Sequence, residues 1–287
     1  MNEPVLQWRI GDIVVTRVQE IEAPGLEFVI PDATPERLRA IDWLRPHFVT
    51  SGGHALASIH ALVVESGGRR IVVDTCVGND KRGRPVPAWN RRQGRFLEDL
   101  DEAGFATASI DTVVCTHLHV DHVGWNTRLV GDRWVPTFAS ARYLAVRAEY
   151  EHWLGETDAV GAAVFADSVA PVMDAGLMDL VASTATVADG VVLEPTPGHT
   201  PGHVSVRIES KGERAVITGD LLHHPAQFAH PEWRAAPDVD PDLACATRRA
   251  FFERYADGET LVIGTHFAGA TAGRLVRDGT AFRLDVD

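Results

Sequence analysis

Cysteine is scarce in this chain, with three in 287 residues, at Cys76, Cys115 and Cys245. An odd, scattered set does not build a disulfide framework, so reduced thiols in or near the core are expected. Positive charge is also short: 27 Lys and Arg stand against 40 Asp and Glu, and no basic cluster appears. A net charge of −13 disfavours a polyanionic partner, because nucleic-acid binding relies on neutralising phosphates. No apolar run is long enough to span a bilayer, so neither nucleic acid nor membrane is an expected partner. Residues 1–10 lack a basic stretch followed by an apolar one, so no secretory signal is expected and a cytoplasmic location follows. There is no Gly-x-Ser-x-Gly elbow, no Ser-x-x-Lys and no phosphate-cradling glycine loop. The usual signatures of a side-chain nucleophile are thus missing.

What the chain does have is a dense set of metal-competent side chains. Residues 117–122 read His-Leu-His-Val-Asp-His, directly after the apolar run Val113-Val-Cys-Thr116. Imidazole and carboxylate suit zinc and its first-row neighbours. If the backbone is extended here, His117, His119 and Asp121 face one side and His122 the other, so two neighbouring metal positions could share one segment. Three more candidates stand at or near the ends of predicted strands: His199 in Glu194-Pro-Thr-Pro-Gly-His-Thr-Pro-Gly-His203, Asp220 after Ala215-Val-Ile-Thr-Gly, and His266 after Leu261-Val-Ile-Gly-Thr. Any one of them reads equally well as a loop histidine or an acidic cap. All seven together do not. A structural zinc site would be closed and rich in Cys, and this set has none.

The candidates run from 117 to 266, so one domain over 1–287 is expected. The stretch 55–76 reads as a hairpin about Ser66-Gly-Gly-Arg69, ending at Asp74. Phe96, Leu97, Leu100 and Phe105, with Gly104 as stop signal, predict a helix over 91–104. Further strands are expected at 141–146, 191–195, 203–208, 215–218 and 261–265, with helices starting at 148 and covering 241–255. Two segments, 23–53 and 77–91, resist assignment and read equally as functional lids or plain surface loops. Strands in two batches with helices between them imply an α/β chain folded as two packed sheets covered by helices.

These residues resemble the metallo-β-lactamase superfamily of binuclear metal hydrolases, whose ligand set is present without a gap, and the match runs from the strand-turn-strand before Asp74 to the terminal strand carrying His266. The resemblance implies the metallo-β-lactamase fold, an αββα sandwich of two mixed β-sheets flanked by helices. It implies that His117, His119 and His199 hold one divalent ion, that Asp121, His122 and His266 hold another, and that Asp220 bridges them. Zinc is the first expectation, with iron, manganese or cobalt as alternatives. A hydroxide bridging the ions would attack an electrophilic carbonyl or phosphoryl centre, and Asp121 could steer a proton to the leaving oxygen. Asp74 either orients a ligand imidazole or merely caps its strand.

Within the superfamily, Asp74-Thr-Cys-Val-Gly-Asn-Asp80 and residues 115–126 resemble quorum-quenching acyl-homoserine-lactone lactonases and methyl parathion hydrolase. Many such lactonases place a Tyr three residues after the bridging Asp to donate to substrate. This chain has His223 there, in Gly219-Asp-Leu-Leu-His-His224, as in the methyl parathion hydrolase-like pattern. Of Trp89, Trp125, Trp153, Phe228 and Phe267, some are expected to line an apolar pocket and at least two to be core. The expected activity is the opening of lactones or cleavage of small hydrophobic esters. The alternatives are a phosphotriesterase or arylesterase of the methyl parathion hydrolase type and a thioesterase of the glyoxalase II kind. A β-lactamase would lack Asp as the bridging ligand, and a flavodi-iron protein would need a further domain. A homodimer is compatible with the sequence but not dictated by it.

Overall fold

Strands buried on both faces read as unbroken β-branched runs, and several runs here obey that rule. The computed structural model describes residues 5–156 and 158–286. Residues 1–4, part of the stretch read for a secretory signal, lie outside that description. Two seven-stranded mixed sheets dominate. The first comprises β1 (Gln7–Ile10), β2 (Ile13–Pro24), β3 (Leu56–Ser66), β4 (Arg69–Val73) and β5 (Thr112–Val114). A separate hairpin of β6 (Thr127–Val130) and β7 (Arg133–Pro136) follows, and then β8 (Arg142–Val146) and β9 (Met178–Val181) complete the first sheet. The second sheet is laid down in chain order as β10 (Thr186–Ala188), β11 (Val191–Pro195), β12 (Val204–Ser210), β13 (Glu213–Ile217), β14 (Leu261–Ile263), β15 (Ala272–Asp278) and β16 (Ala281–Asp285). Pairing is parallel along β4, β5, β8 and β9 and between β13 and β14, and antiparallel elsewhere.

Side-chain alternation assigns each face to its own core. Leu62, Val64, Ile71, Val73 and Val114 of the first sheet meet Val204, Val206, Ile208, Ala215, Ile217 and Ile263 of the second. The alternate residues Ala61, Val63, Val72 and Val113 pack outward against Phe96 and Leu100 of the helix Phe96–Glu102. On the far side Val216 and Val262 pack against Phe251, Phe252 and Tyr255 of the helix Pro241–Tyr255. Three apolar layers, one between the sheets and one on each outer face, make the expected αββα sandwich. No helix among the described residues is long and apolar enough to cross a membrane.

Three expectations need correction. The segment 117–122 is not extended: β5 stops at Val114, and the His122 N–H donates back to the His119 carbonyl at 3.1 Å, a turn that gathers the side chains. Strand alternation therefore does not sort these ligands. Nor is the strand before His266 terminal, since β15 and β16 follow and close the edge of the second sheet. The helix expected over 91–104 forms only over Phe96–Glu102, ended by Gly104 at φ 94°.

Candidate metal centre

The site lies where strands of both sheets end. After β4 the chain turns through Asp74, at φ 58°, a conformation Asp tolerates better than most residues. The loop that follows crosses the turn beyond His122 backbone to backbone. Thr75 N–H donates to the His122 carbonyl at 2.7 Å, Gly124 N–H to Cys76 at 2.7 Å and Trp125 N–H to Thr75 at 2.8 Å. Only glycine fits that crossing, because a Cβ on Gly124 would lie 1.8 Å from the Val77 carbonyl oxygen. The second sheet joins in through Val204 N–H, which donates to Thr116 at 3.0 Å, and through the His266 carbonyl, which accepts from the Ser58 N–H of β3 at 3.0 Å.

This framework brings all seven candidates together. One ligand-type atom each from His117, His119, His199 and Asp220 lies within 4.8 Å of the others, and the same holds for Asp121, His122 and His266. Asp220 faces both groups. Its Oδ1 is 3.2 Å from His122 Nε2 and 3.1 Å from His266 Nε2, while its Oδ2 is 3.8 Å from His117 Nε2 and 3.5 Å from His199 Nε2. Asp121 lies 3.7 Å from Nε2 of both His122 and His266.

The donor set suits divalent cations. His117 Nε2 is buried with no hydrogen-bond partner. His119 Nδ1 and His199 Nε2 face each other at 2.8 Å, and His122 Nε2 and His266 Nε2 at 3.2 Å, so pairs of ring nitrogens converge on shared points. Burial pushes the pKa of His117, His119 and His199 well below the ordinary value, leaving neutral rings with a lone pair to offer. Burial acts the same way on His122 and His266, but Asp220 and its carboxylate neighbours outweigh it and hold both above that value. Asp220 meets the converse balance: burial favours its neutral form, yet His122, His266, His223 and His117 hold its carboxyl well below the carboxylate range.

Neighbouring groups fix the rings, as such partners do in metal sites. Asp74 Oδ2 lies 2.9 Å from His122 Nδ1, and its carboxylate accepts from the Thr116 N–H and hydroxyl, each at 2.8 Å. The orienting reading of Asp74 therefore has its geometry. His266 Nδ1 meets the Ser58 carbonyl at 2.9 Å. Two further partners escaped sequence reasoning. Asp238 holds His199 Nδ1 at 2.9 Å and is itself fixed by the Ala235 N–H. His203, which burial brings down to about 4, accepts the Asp220 N–H on Nε2 at 2.8 Å and meets the Thr196 carbonyl through Nδ1 at 3.0 Å. The second His of the Pro-Gly-His repeat was a visible signal for His203. Nothing in the sequence distinguishes Asp238 from an acidic turn residue ahead of the helix capped by Asp240.

A cavity of about 570 Å³ opens beside these donors, walled by Leu118, Val120, Trp89, Trp153, Val160 and Val164 and touching His119, Asp121, Asp220 and His223. Phe28 and Val29 bring 23–53 into its wall, and Pro85 and Trp89 bring in 77–91. Of the five aromatics singled out, only Trp89 and Trp153 line the cavity. Trp125 stacks on Phe96 at 5.9 Å, and Phe228 and Phe267 belong to the outer core of the second sheet. His223 is buried, with Nε2 3.2 Å from Asp220 Oδ2 but no hydrogen bond on either ring nitrogen. Of the other histidines, His60 is buried between Ser58 and the Gly264 carbonyl, His152 borders the cavity, and His230 stacks on Trp233.

Comparison with known proteins shows which family the chain belongs to. The chain is similar to the N-acyl homoserine lactonase AiiA of Bacillus thuringiensis subsp. kurstaki, 26% identical over 171 residues covering 59% of this chain and 60% of that protein. It is similar to a probable metallo-hydrolase of Mycobacterium tuberculosis, 26% identical over 185 residues covering 58% of this chain and 57% of the other. It thus spans less than two thirds of the length of the curated relatives it matches. Among solved structures, hydrolase AbOPH of the β-lactamase superfamily superposes with a TM-score of 0.82 at 23% identity, covering 99% and 98% of the two chains. The dizinc quorum-quenching lactonase AidC, in complex with N-hexanoyl-L-homoserine product, gives 0.77 at 21% identity over 98% and 96%. At such identities the likeness is one of fold. The description of the metallo-β-lactamase superfamily matches residues 55–266, from the strand before Asp74 to the last candidate ligand, and over that majority of its length the chain belongs to this superfamily.

Proposed function

We propose that this protein is a binuclear metal-dependent hydrolase that opens lactones or cleaves small hydrophobic esters. The observation that supports this best is Asp220, whose two oxygens face two separate groups of imidazoles at the polar end of an apolar cavity. His117, His119 and His199 would hold one ion, Asp121, His122 and His266 the other, with Asp220 between them. When bound, such ions supply hydroxide at neutral pH and polarise a carbonyl oxygen, which replaces the missing side-chain nucleophile. The chain's own residues do the rest. Leu118, Val120, Trp89 and Trp153 take the apolar part of the substrate and exclude water. Asp121, at the cavity wall, receives a proton and delivers it to the leaving oxygen. His223, also at that wall with an unpartnered Nδ1, donates to the oxygen on which charge develops.

Aromatic walls also fit aryl esters and aryl phosphotriesters, so the decisive experiment is a substrate panel. Metal-analysed protein is assayed on a lactone, an aryl ester, an aryl phosphotriester and a thioester side by side, before and after chelation. We expect two metals per chain and chelator-sensitive turnover that is highest on the lactone or aryl ester. A preference for the thioester would move the protein to the glyoxalase II kind, and metal-independent turnover would remove the reading altogether.

A further inference from the structure

Behind the candidate ligands lies a carboxylate that the proposed reaction does not use. Glu149, in the first turn of the helix Arg147–Leu154, is only 1% exposed. Burying a carboxylate is costly unless donors satisfy it, and here three donors converge. Oε1 accepts from the Leu118 N–H at 3.0 Å and from the Trp153 indole at 2.6 Å, and Oε2 accepts from the Gly202 N–H at 3.0 Å. Leu118 stands between His117 and His119, whereas Gly202 belongs to the loop that carries His199. One carboxylate therefore joins two loops, from different sheets, that supply the same group of ligands. Contact with the second loop is backbone-close: a Cβ on Gly202 would lie 2.4 Å from Glu149 N. Trp153, the third donor, packs edge-on against the His119 ring, with centroids 5.1 Å apart at 74°.

We propose that Glu149 is a positioning residue that holds the loop of His117 and His119 in register with the loop of His199, and so sets the geometry of one metal position and not the other. This rests on the metal assignment made above. His122 is oriented by Asp74 and His266 by the Ser58 carbonyl, and no hydrogen bond joins Glu149 to either of them or to Asp121.

The test is zinc affinity, measured by competition with a chromophoric chelator on wild type, Glu149→Gln and Gly202→Ala, with folding checked by circular dichroism. Gln keeps the shape but turns an amide N–H₂ toward one of the donors, and Gly202→Ala forces the loop away from the backbone and Cβ of Glu149 while leaving the carboxylate chemically unchanged. Wild type should bind two zinc ions. In each variant one of the two sites should weaken by about 10- to 100-fold, the range for partners that orient ligands, while the other is unchanged. Two unchanged affinities, or equal weakening of both, overturn the proposal while leaving the metal assignment standing. A wild type that binds no zinc overturns that assignment and this proposal with it. Should Glu149→Gln fail to fold, Gly202→Ala decides on the same criterion.

Discussion

A carboxylate that bridges two cations must present one oxygen to each, and Asp220 is arranged that way: Oδ1 toward His122 and His266, Oδ2 toward His117 and His199. Asp220→Ala should leave a folded chain that has lost one metal. Even partners one step removed from a metal cost about 10- to 100-fold when deleted, so turnover should fall by at least about a hundredfold. Elemental analysis with steady-state kinetics checks this, and full metal content with full activity would remove Asp220 from the site. His223 asks a subtler question, because an imidazole stacked on His266 at 6.0 Å could simply fill space. If it donates to developing charge, His223→Ala should lower kcat on the order of a hundredfold with metal content intact. His223→Tyr should then restore lactone opening more than aryl-ester cleavage. Wild-type rates for both variants on both substrates would leave His223 a packing residue.

Among elements, the segment 77–91 shows how a stretch whose one regular piece is the 3-10 turn Pro87–Trp89 can still be a pinned wall. Arg84 pairs with Asp167 at 2.7 Å, and buried Lys81 donates to the Thr127 hydroxyl at 2.7 Å and the Asp167 carbonyl at 3.1 Å. Burial outweighs the attraction of Asp167 and brings the Lys81 ammonium down to about 7. An unfolded Lys titrates near about 10.4, so between about pH 7 and 10 the unfolded chain binds more protons and stability rises with pH. Urea unfolding across that interval should give Lys81→Met a slope shallower by up to about one proton; equal slopes would mean that Lys81 stays charged. None of these bonds was legible beforehand, because Lys81 and Arg84 in a run with Gly83, Pro85 and Pro87 read equally as lid or as surface loop. Elements that announce themselves locally were legible. The helix Pro241–Tyr255 starts with Asp240 accepting from the Leu243 N–H at 3.0 Å and with Pro at its first position. β15 and β16 were not, since Ala-Gly-Arg-Leu-Val-Arg-Asp has only two large apolar residues and becomes a strand through pairing with β14.

At the scale of the whole molecule, the candidate ligands were legible because each follows a β-branched run that ends at one edge of a sandwich. Of what orients them, Asp74 was one of two readings and His203 stood in a visible repeat, but Glu149, Asp238 and Ser58 were not legible, because segments far apart in the sequence bring them to the ligands. His117, His119, Asp121 and His122 follow β5 of the first sheet, while His199, Asp220 and His266 follow strands of the second. A cation held between these sets ties sheet to sheet, and an unfolded chain cannot offer the same sites. Whatever binds only the folded state stabilises it, by about 2.7 kcal/mol at a hundredfold excess over Kd. In chains of roughly this size 1 kcal/mol shifts Tm by about 2–4 °C, so losing one ion should lower Tm by about 5–10 °C and losing both by about 10–20 °C. Scanning calorimetry of protein treated with a chelator, dialysed and then reloaded with zinc measures the shift and its reversal. Asp220→Ala, with one ion at most, should show a smaller shift than wild type. A Tm indifferent to chelation in both proteins would mean that the seven side chains close the edge of the sandwich without a cation, and that the sheets are held by their shared apolar core alone.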